Sequence, residues 1–137
     1  MSRYIPDTLR KQVAQRANFR CEYYRLPQQV SGFSFEIDHI TSLKHGGKTR
    51  FDNLAYACPI CNGNKGSDLG TILAQNSKHL VRFFNPRTDD WFDHFELQNG
   101  VILAKSDIGA ATIKIFDFNR EQDILYRQKL SAIGLYP

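Results

Sequence analysis

The feature that most constrains this chain is the pair Cys58 and Cys61, which stands in the stretch CPICNGNK. A C-x-x-C pair supplies two of the four ligands that close a structural zinc site. The third cysteine of the chain is Cys21, far from the pair in sequence. The spacing is compatible with a metal knuckle, a redox pair or part of a catalytic unit. No βαβ pattern surrounds it, which argues against the redox pair.

Length and composition predict one domain with a core of its own. The chain has 137 residues, 42% of them hydrophobic, with 10 Phe and 6 Tyr. It contains no apolar run of membrane length, and its first residues lack the apolar region of a secretory signal. Three cysteines, two of them at C-x-x-C, suit a reducing compartment better than a disulfide framework does. We therefore expect a cytoplasmic protein, and the net charge of +4 favours a polyanionic partner.

Periodicity predicts alternating elements in the first half of the chain. Pro6 begins a helix that continues through residues 7–17. The alternation of FSFEIDHI predicts a half-buried strand at 33–40, and NLAYACP predicts a second at 53–59. The adjacent glycines of HGGKTRFDN predict a loop between them. A further helix is expected to begin beside the cysteine pair, within residues 60–76.

The second half has a different character. Residues 80–97 are rich in aromatic side chains, and Asn99-Gly100 between two apolar runs is a strong hairpin signal. The spacing of apolar residues predicts a helix over 120–135. We therefore predict an α+β fold that divides into an N-terminal helix, a core and a C-terminal elaboration of hairpin and helices packed on the same domain. Their predicted ranges are 1–20, 21–78 and 79–137.

One stretch, predicted to run strand, loop, strand and helix, contains polar residues in a particular order, namely Asp38-His39, Asn53, Asn62 and Lys65. With the stretches DHI, HGG, FDNL and CPICNGNKG, they resemble the HNH endonuclease family over roughly residues 10–70. The resemblance implies a ββα-metal (His-Me finger) core. More loosely, the stretches FNPR, WFDHF and IGAAT resemble the tail of stand-alone HNH proteins.

The chemistry of phosphodiester cleavage suggests a role for each of three residues. Histidine has an unperturbed pKa of about 6.5 and can accept a proton from water near neutral pH, so we assign His39 as general base. Asp38 is expected to be a metal ligand, provided that the strand ends or bends there, because successive strand residues point to opposite faces. Many family members carry histidine where this chain has Asn62. An Asp and Asn pair of oxygen ligands predicts Mg²⁺ or Mn²⁺ as cofactor.

Other polar residues are assigned supporting roles. By resemblance, Asn53 holds the loop through hydrogen bonds from its amide to the backbone and so aims the His39 ring. Lys65 is a candidate contact to the phosphate or the transition state. Nearby basic residues are predicted to contact the nucleic-acid backbone. They are Lys44, Lys48 and Arg50.

The family also frames the question of the cysteine pair. In HNH proteins with a zinc knuckle, a first C-x-x-C completes the site, but here that pair reads CEYY and Tyr24 stands in the second position. Neutral tyrosine is a poor ligand, with a pKa of about 10. Either the thiolates of Cys21, Cys58 and Cys61 bind zinc with water or His45, or the site has no metal and Tyr24 packs in its place. Weak or absent zinc is the expectation.

We predict a metal-dependent HNH endonuclease that hydrolyses phosphodiester bonds in nucleic acid, with DNA favoured. The alternative is a non-catalytic nucleic-acid-binding module on a degenerate HNH scaffold, for which the substitution at Tyr24 is the main argument. A third possibility, a small zinc-dependent interaction domain, predicts stoichiometric zinc and no cleavage. Duplex, single-stranded and branched substrates and the oligomeric state all stay open.

Overall fold

The computed structural model describes residues 4–137, which form two compact units. The first ends at Ser67, and the second spans Asp68–Pro137. Each unit contains helices and short antiparallel strands, so the predicted mixed α+β class is confirmed. Residues 1–3 of the predicted N-terminal segment lie outside the described residues. The predicted divisions after residues 20 and 78 stay predictions.

The first unit is a two-stranded hairpin with a helix before it and a helix after it. In chain order its elements are α1 (Asp7–Arg16), β1 (Glu36–His39), β2 (Leu54–Ala57) and α2 (Pro59–Lys65). Three short turns of 3-10 helix, at Gln28–Val30, Leu43–His45 and Phe51–Asn53, connect them. The order β1, β2, α2 is that of the predicted core.

The two strands pair antiparallel, with Glu36 opposite Ala57 and His39 opposite Leu54. All four residues of β2 are buried. In β1 the buried residue is the polar Asp38, while Ile37 and His39 are half-buried and Glu36 is exposed, so burial does not follow the apolar side that the sequence pattern predicts. Both strands are shorter than expected. Phe33, inside the predicted first strand, precedes β1 and is 66% exposed, so alternation alone overestimated the length of the strand.

Helix α2 is also shorter than the range expected from sequence. It begins after Cys58, whose sulfur accepts a hydrogen bond from the Cys61 backbone N–H, and it ends at Lys65. Gly66 follows with φ of 53°, a conformation that breaks the helix and that glycine adopts at little cost. The predicted continuation through residue 76 is therefore wrong.

Helix α1 is tied to the beginning of β2 by one arginine. The Arg16 guanidinium donates to the carbonyl oxygens of Phe51 and Leu54, at 2.7 and 2.5 Å, and stacks 3.8 Å from the centre of the Phe51 ring. Val13 and Ala14 supply the buried side of the helix. Helix and hairpin thus form one packed unit.

The second unit contains three helices and two hairpins. Its elements are β3 (Gly70–Thr71), β4 (Val81–Arg82), α3 (Trp91–His94), β5 (Phe95–Gln98), β6 (Val101–Ala104), α4 (Asp107–Phe116) and α5 (Glu121–Ala132). The predicted hairpin at Asn99-Gly100 is confirmed, since both residues have positive φ and join β5 to β6. Helix α5 confirms the predicted C-terminal helix, while α4 was not assigned from sequence.

The three tail motifs serve packing within this unit. The Thr112 hydroxyl accepts a hydrogen bond from the Phe84 backbone N–H at 2.8 Å and donates to the Ile108 carbonyl. Ser106 caps α4, and its hydroxyl lies 2.7 Å from Nδ1 of His94. Within residues 4–137, no helix combines the length and the apolar character that crossing a membrane requires.

Candidate active site

A buried ion pair lies between β1 and α2. Lys65 Nζ lies 3.2 Å from Asp38 Oδ1 and donates to the His39 carbonyl oxygen at 2.9 Å. The Lys65 side chain is only 2% exposed and that of Asp38 only 4%. The Lys65 ammonium therefore faces the protein interior, and it contacts the Asp38 carboxylate rather than solvent.

The other oxygen of the same carboxylate is held by a tyrosine. Tyr23 is fully buried, and its hydroxyl donates to Asp38 Oδ2 at 2.5 Å. Burial raises the pKa of the Asp38 carboxyl, while Lys65 and the Tyr23 hydroxyl oppose that rise. Two donors thus fix the orientation of Asp38. A carboxylate has about four lone-pair positions, so it retains acceptor capacity.

His39 follows Asp38 at the last position of β1, where the strand ends. Its Nε2 lies 2.8 Å from the Thr49 hydroxyl oxygen. Asp38 and His39 both line one cavity of about 420 Å³, although they are adjacent in the chain. The condition set by strand alternation is met, because the strand stops at this point.

Asn62 lies on the first turns of α2 and lines the same cavity. Its side-chain amide nitrogen donates to Glu36 Oε2, so the amide orientation directs Oδ1 away from that carboxylate. Glu36 and Asp38 occupy alternate positions of β1 and both contact α2, through Asn62 and Lys65 respectively. Strand and helix periodicity therefore bring these four polar residues to one face.

Asn53 holds the loop that leads out of β1. Its Oδ1 accepts from the Thr41 N–H, and its Nδ2 donates to the carbonyl oxygens of Thr41 and Lys48, all at 2.9 Å. Gly47 passes so close to this loop that a Cβ there would lie 1.7 Å from the Thr41 oxygen and 2.9 Å from Asn53 Nδ2. The second glycine of HGG thus permits a close approach of two backbone segments. That the amide aims the His39 ring stays a prediction.

The three basic residues that are predicted to contact the nucleic-acid backbone have different surroundings. Lys44 lines the cavity, whereas Lys48 is exposed and does not. Arg50 is exposed and lies 3.4 Å from the equally exposed Asp52. The lining also includes Arg10 of α1, which the sequence showed only as one of several N-terminal basic residues.

The three cysteines meet in the interior of the unit. Their sulfur atoms all lie within 4.8 Å of one another, and each residue is buried. Tyr24 is 6% exposed, and its side chain hydrogen-bonds Cys58. Within residues 4–137 this is the one group of three or more His, Cys, Asp or Glu side chains gathered closely enough to hold a metal, and His45 is not part of it.

Hydrogen bonds within this cluster distinguish the three sulfurs. Those from Cys21 and Cys61 lower the pKa of the Cys58 thiol to about 3. Burial raises the pKa of the Cys21 and Cys61 thiols. The cluster therefore stabilises one thiolate that accepts hydrogen bonds from its neighbours.

Comparison with protein-family models finds one match. The model described as HNH endonuclease matches residues 21–68, the stretch that contains the cysteine cluster, β1, β2 and α2. The chain carries an HNH endonuclease domain. Neither the curated proteins nor the solved structures yielded a match to this sequence.

The HNH domain implies a ββα-metal core, a divalent metal and a nucleic-acid substrate. At the cavity, Asp38 and Asn62 offer oxygen atoms, the donor type that Mg²⁺ and Mn²⁺ prefer. At the cysteine cluster, tetrahedral zinc would separate its sulfurs by about 3.8 Å, given Zn–S bonds of about 2.3 Å. Sulfurs within 4.8 Å fit three positions of such a site. Tyr24, which contacts Cys58, offers no fourth thiolate.

Three residues at or beside the candidate active site were not predicted from the sequence. Tyr23 reads as one of two adjacent core aromatics, and no local pattern shows that its hydroxyl reaches a carboxylate 15 positions away. Glu36 is the first residue of β1, and Arg10 belongs to a different helix. For Glu36 a signal was available, since alternation along β1 places it on the same side as Asp38.

Proposed function

We propose that this protein is a metal-dependent nuclease that hydrolyses phosphodiester bonds in DNA, with the reaction centred on the cavity between β1 and α2. The observation that supports the proposal is the convergence of Asp38, His39 and Asn62 on that one cavity. These are the residue types needed for a base and a hard metal site. A reducing, cytoplasmic compartment suits the buried thiols and is part of the proposal.

His39 accepts the proton of the attacking water in this proposal. The tautomer with its proton on Nε2 donates to the Thr49 hydroxyl and leaves Nδ1 as the basic nitrogen. Asn53 keeps the loop after β1 in place through its three hydrogen bonds. Thr49 and Asn53 therefore act as positioning residues for the base.

Asp38 and Asn62 would hold Mg²⁺ or Mn²⁺ through oxygen atoms. When bound, the cation neutralises negative charge that develops on the phosphoryl group and on the leaving oxygen. Tyr23 and Lys65 restrict the rotation of the Asp38 carboxylate, so that its remaining lone pairs point in a fixed direction. Lys44, with Lys48 and Arg50 further out, contributes positive charge that attracts the substrate backbone.

The role proposed for Lys65 differs from a direct phosphate contact. An ammonium that is 2% exposed and already shared between Asp38 and the His39 carbonyl has little surface to offer a substrate. We therefore propose that Lys65 positions Asp38 and His39.

Metal removal tests the proposed activity. Purified protein incubated with supercoiled plasmid and Mg²⁺ or Mn²⁺ should convert it to nicked circles, because the scissile phosphate needs a cation to offset its charge. EDTA should stop the conversion, and excess Mg²⁺ should restore it. Absence of cleavage of both the plasmid and a single-stranded DNA with either metal would contradict the proposal, and cleavage that persists in EDTA would contradict its metal dependence.

One observation favours the non-catalytic alternative. Both oxygens of Asp38 already accept hydrogen bonds, so the carboxylate is satisfied without a cation. A binding module of this kind would retain DNA in a mobility-shift assay with unchanged affinity in EDTA, and would leave the plasmid intact.

At the cysteine cluster we propose a zinc site of three thiolates that is weakened by Tyr24. The variant Tyr24→Cys restores a fourth thiolate and should bind one zinc per chain with higher affinity than wild type, because a closed structural site takes four protein ligands. Competition with a chromogenic chelator measures that affinity. Tyr24→Phe is the matched control, since it keeps the ring and removes the oxygen. Equal zinc affinity in Tyr24→Cys and wild type would contradict this assignment.

A further inference from the structure

A second groove lies along α1, beside the candidate active site. Its volume is about 470 Å³, and it extends from α1 across to β1 and β2. Its charged and aromatic lining consists of Arg10, Lys11, Phe19, Phe35 and Tyr56. The proposed reaction uses none of these residues.

The aromatic part is a cluster with one ring open to solvent. Tyr56 lies between the other two rings, with its centre 6.1 Å from that of Phe19 and 5.6 Å from that of Phe35. Tyr56 and Phe35 are buried, but Phe19 is 49% exposed. Phe19 meets Tyr56 edge-to-face, at an interplanar angle of 88°. A large aromatic side chain that is anchored by such a contact and about half exposed offers surface on which a flat ring can stack.

The backbone places Phe19 in an unusual conformation. Asn18 and Phe19 have φ of 53° and 55°, in the left-handed region, where a bulky residue such as phenylalanine is rarely found. Phe19 is nevertheless held at both backbone groups, since its N–H donates to Ala14 and its carbonyl accepts from Gln28. Strain of this kind is common at ligand-binding positions.

The charged part comes from one face of α1. Arg10 and Lys11 are exposed, and Ala14 and Gln15 of the next turn continue the wall of the groove. None of the described residues that line it is acidic. The groove therefore pairs positive charge with an aromatic surface, which is the composition of sites that bind unpaired nucleotides.

The groove adjoins the cavity of the candidate active site. Arg10 and Ile37 line both. A nucleic-acid strand with one phosphate in the cavity can therefore place a neighbouring nucleotide in the groove, with Arg10 between the two positions.

We propose that this groove binds an unpaired base of the substrate strand, stacked on Phe19, next to the phosphate that is cleaved. A base inside a continuous duplex has its faces covered by its neighbours, so it cannot present one to Phe19. The preferred substrate is therefore single-stranded DNA or the unpaired part of a branched structure. This inference rests on the proposed nuclease function, which places the cleaved phosphate in the adjoining cavity.

The test compares binding of two probes in EDTA, so that no cleavage intervenes. Fluorescence anisotropy gives the Kd for a labelled 12-mer of thymidine and for a 12-base-pair duplex. Wild type should bind the single strand more tightly than the duplex. Phe19→Asn should weaken single-strand binding by about 10-fold, since loss of one base–aromatic stack costs about 1–3 kcal/mol. Its duplex Kd should stay within about 2-fold.

Two further variants serve as controls. Asparagine is tolerated in the left-handed region, so Phe19→Asn removes the ring while keeping the backbone, and Phe19→Tyr should bind like wild type. Phe33→Asn makes the same change at a phenylalanine that is 66% exposed and lies outside the groove, and should leave both Kd values unchanged.

The outcomes separate this inference from the nuclease proposal. Equal loss of affinity for both probes in Phe19→Asn, or no loss for either, would contradict base binding in the groove. Plasmid nicking by the wild type would still support the nuclease function in that case. Failure of wild type to cleave both the plasmid and the labelled 12-mer in Mg²⁺ or Mn²⁺ would overturn the nuclease, and with it the position of the groove beside a cleaved phosphate.

Discussion

Replacement of His39 by alanine should lower the rate of metal-dependent plasmid nicking by about 10²- to 10⁴-fold, the range that a general base contributes. His39 is half-buried at the end of β1, lines the cavity with Asp38 and Asn62, and is oriented through Thr49. Alanine removes the proton acceptor and leaves the proposed metal ligands in place. The time course of supercoiled plasmid loss in Mg²⁺ measures the effect.

The matched control is His79→Ala, which removes an exposed histidine of the second unit. It should nick at the wild-type rate, and His39→Ala should bind DNA with wild-type affinity. Nicking by His39→Ala at the wild-type rate would refute the assignment of the base, even if the protein proved to be a nuclease.

Replacement of Lys65 by methionine should destabilise the protein by about 3–5 kcal/mol, the cost of leaving one buried charge without its partner. Asp38 and Lys65 are 4% and 2% exposed, and methionine has a similar length without a charge. The free energy of unfolding in urea at pH 7 measures the loss. If Lys65 served only to contact phosphate, its replacement would lower the cleavage rate and leave the free energy of unfolding unchanged.

The loss should depend on pH in a defined direction. Burial already raises the pKa of Asp38, and without Lys65 that pKa rises further. When the pKa of a carboxyl is higher in the folded state than in the unfolded chain, the folded state binds the proton more tightly. The free energy of unfolding is therefore highest when the carboxyl is protonated, and it falls as pH rises through the folded-state pKa. The deficit of Lys65→Met should therefore shrink as pH falls toward about 4. Lys44→Met, at an exposed lysine, should show neither effect, and a constant deficit at all pH values would contradict this account.

Prediction from sequence succeeded where a local rule controls the structure. The Asn99-Gly100 hairpin follows from the ease with which these residues adopt positive φ. The order β1, β2, α2 follows from the apolar patterns at residues 33–40 and 53–59 and from the helix expected beside the cysteine pair. It was less accurate at boundaries, since α2 ends eleven residues before the end of the range expected for this helix. Gly66 interrupts it there.

Lys65 and Tyr23 show why the details of the site could not be predicted. Spacing identified Lys65 as part of a motif, but the burial of its ammonium depends on how α2 lies against β1. Tyr23 reaches Asp38 only because the segment before β1 folds back on the hairpin. Such contacts join residues that are distant in the chain, and local periodicity contains no information about them.

The sequence by itself determined the HNH motif, the order of its elements and the types of residue available for proton transfer and metal binding. These depend on residue identity and on spacing within short segments, which strand and helix geometry translate directly into position. Only the tertiary structure decided that Asp38 and His39 share one cavity, that Lys65 is buried, that Gly47 must pass within contact of Thr41, and that Phe19 stands open beside Arg10. The physical reason is that burial and close approach are properties of packed elements, so they come into being when α1, the β1–β2 hairpin and α2 meet.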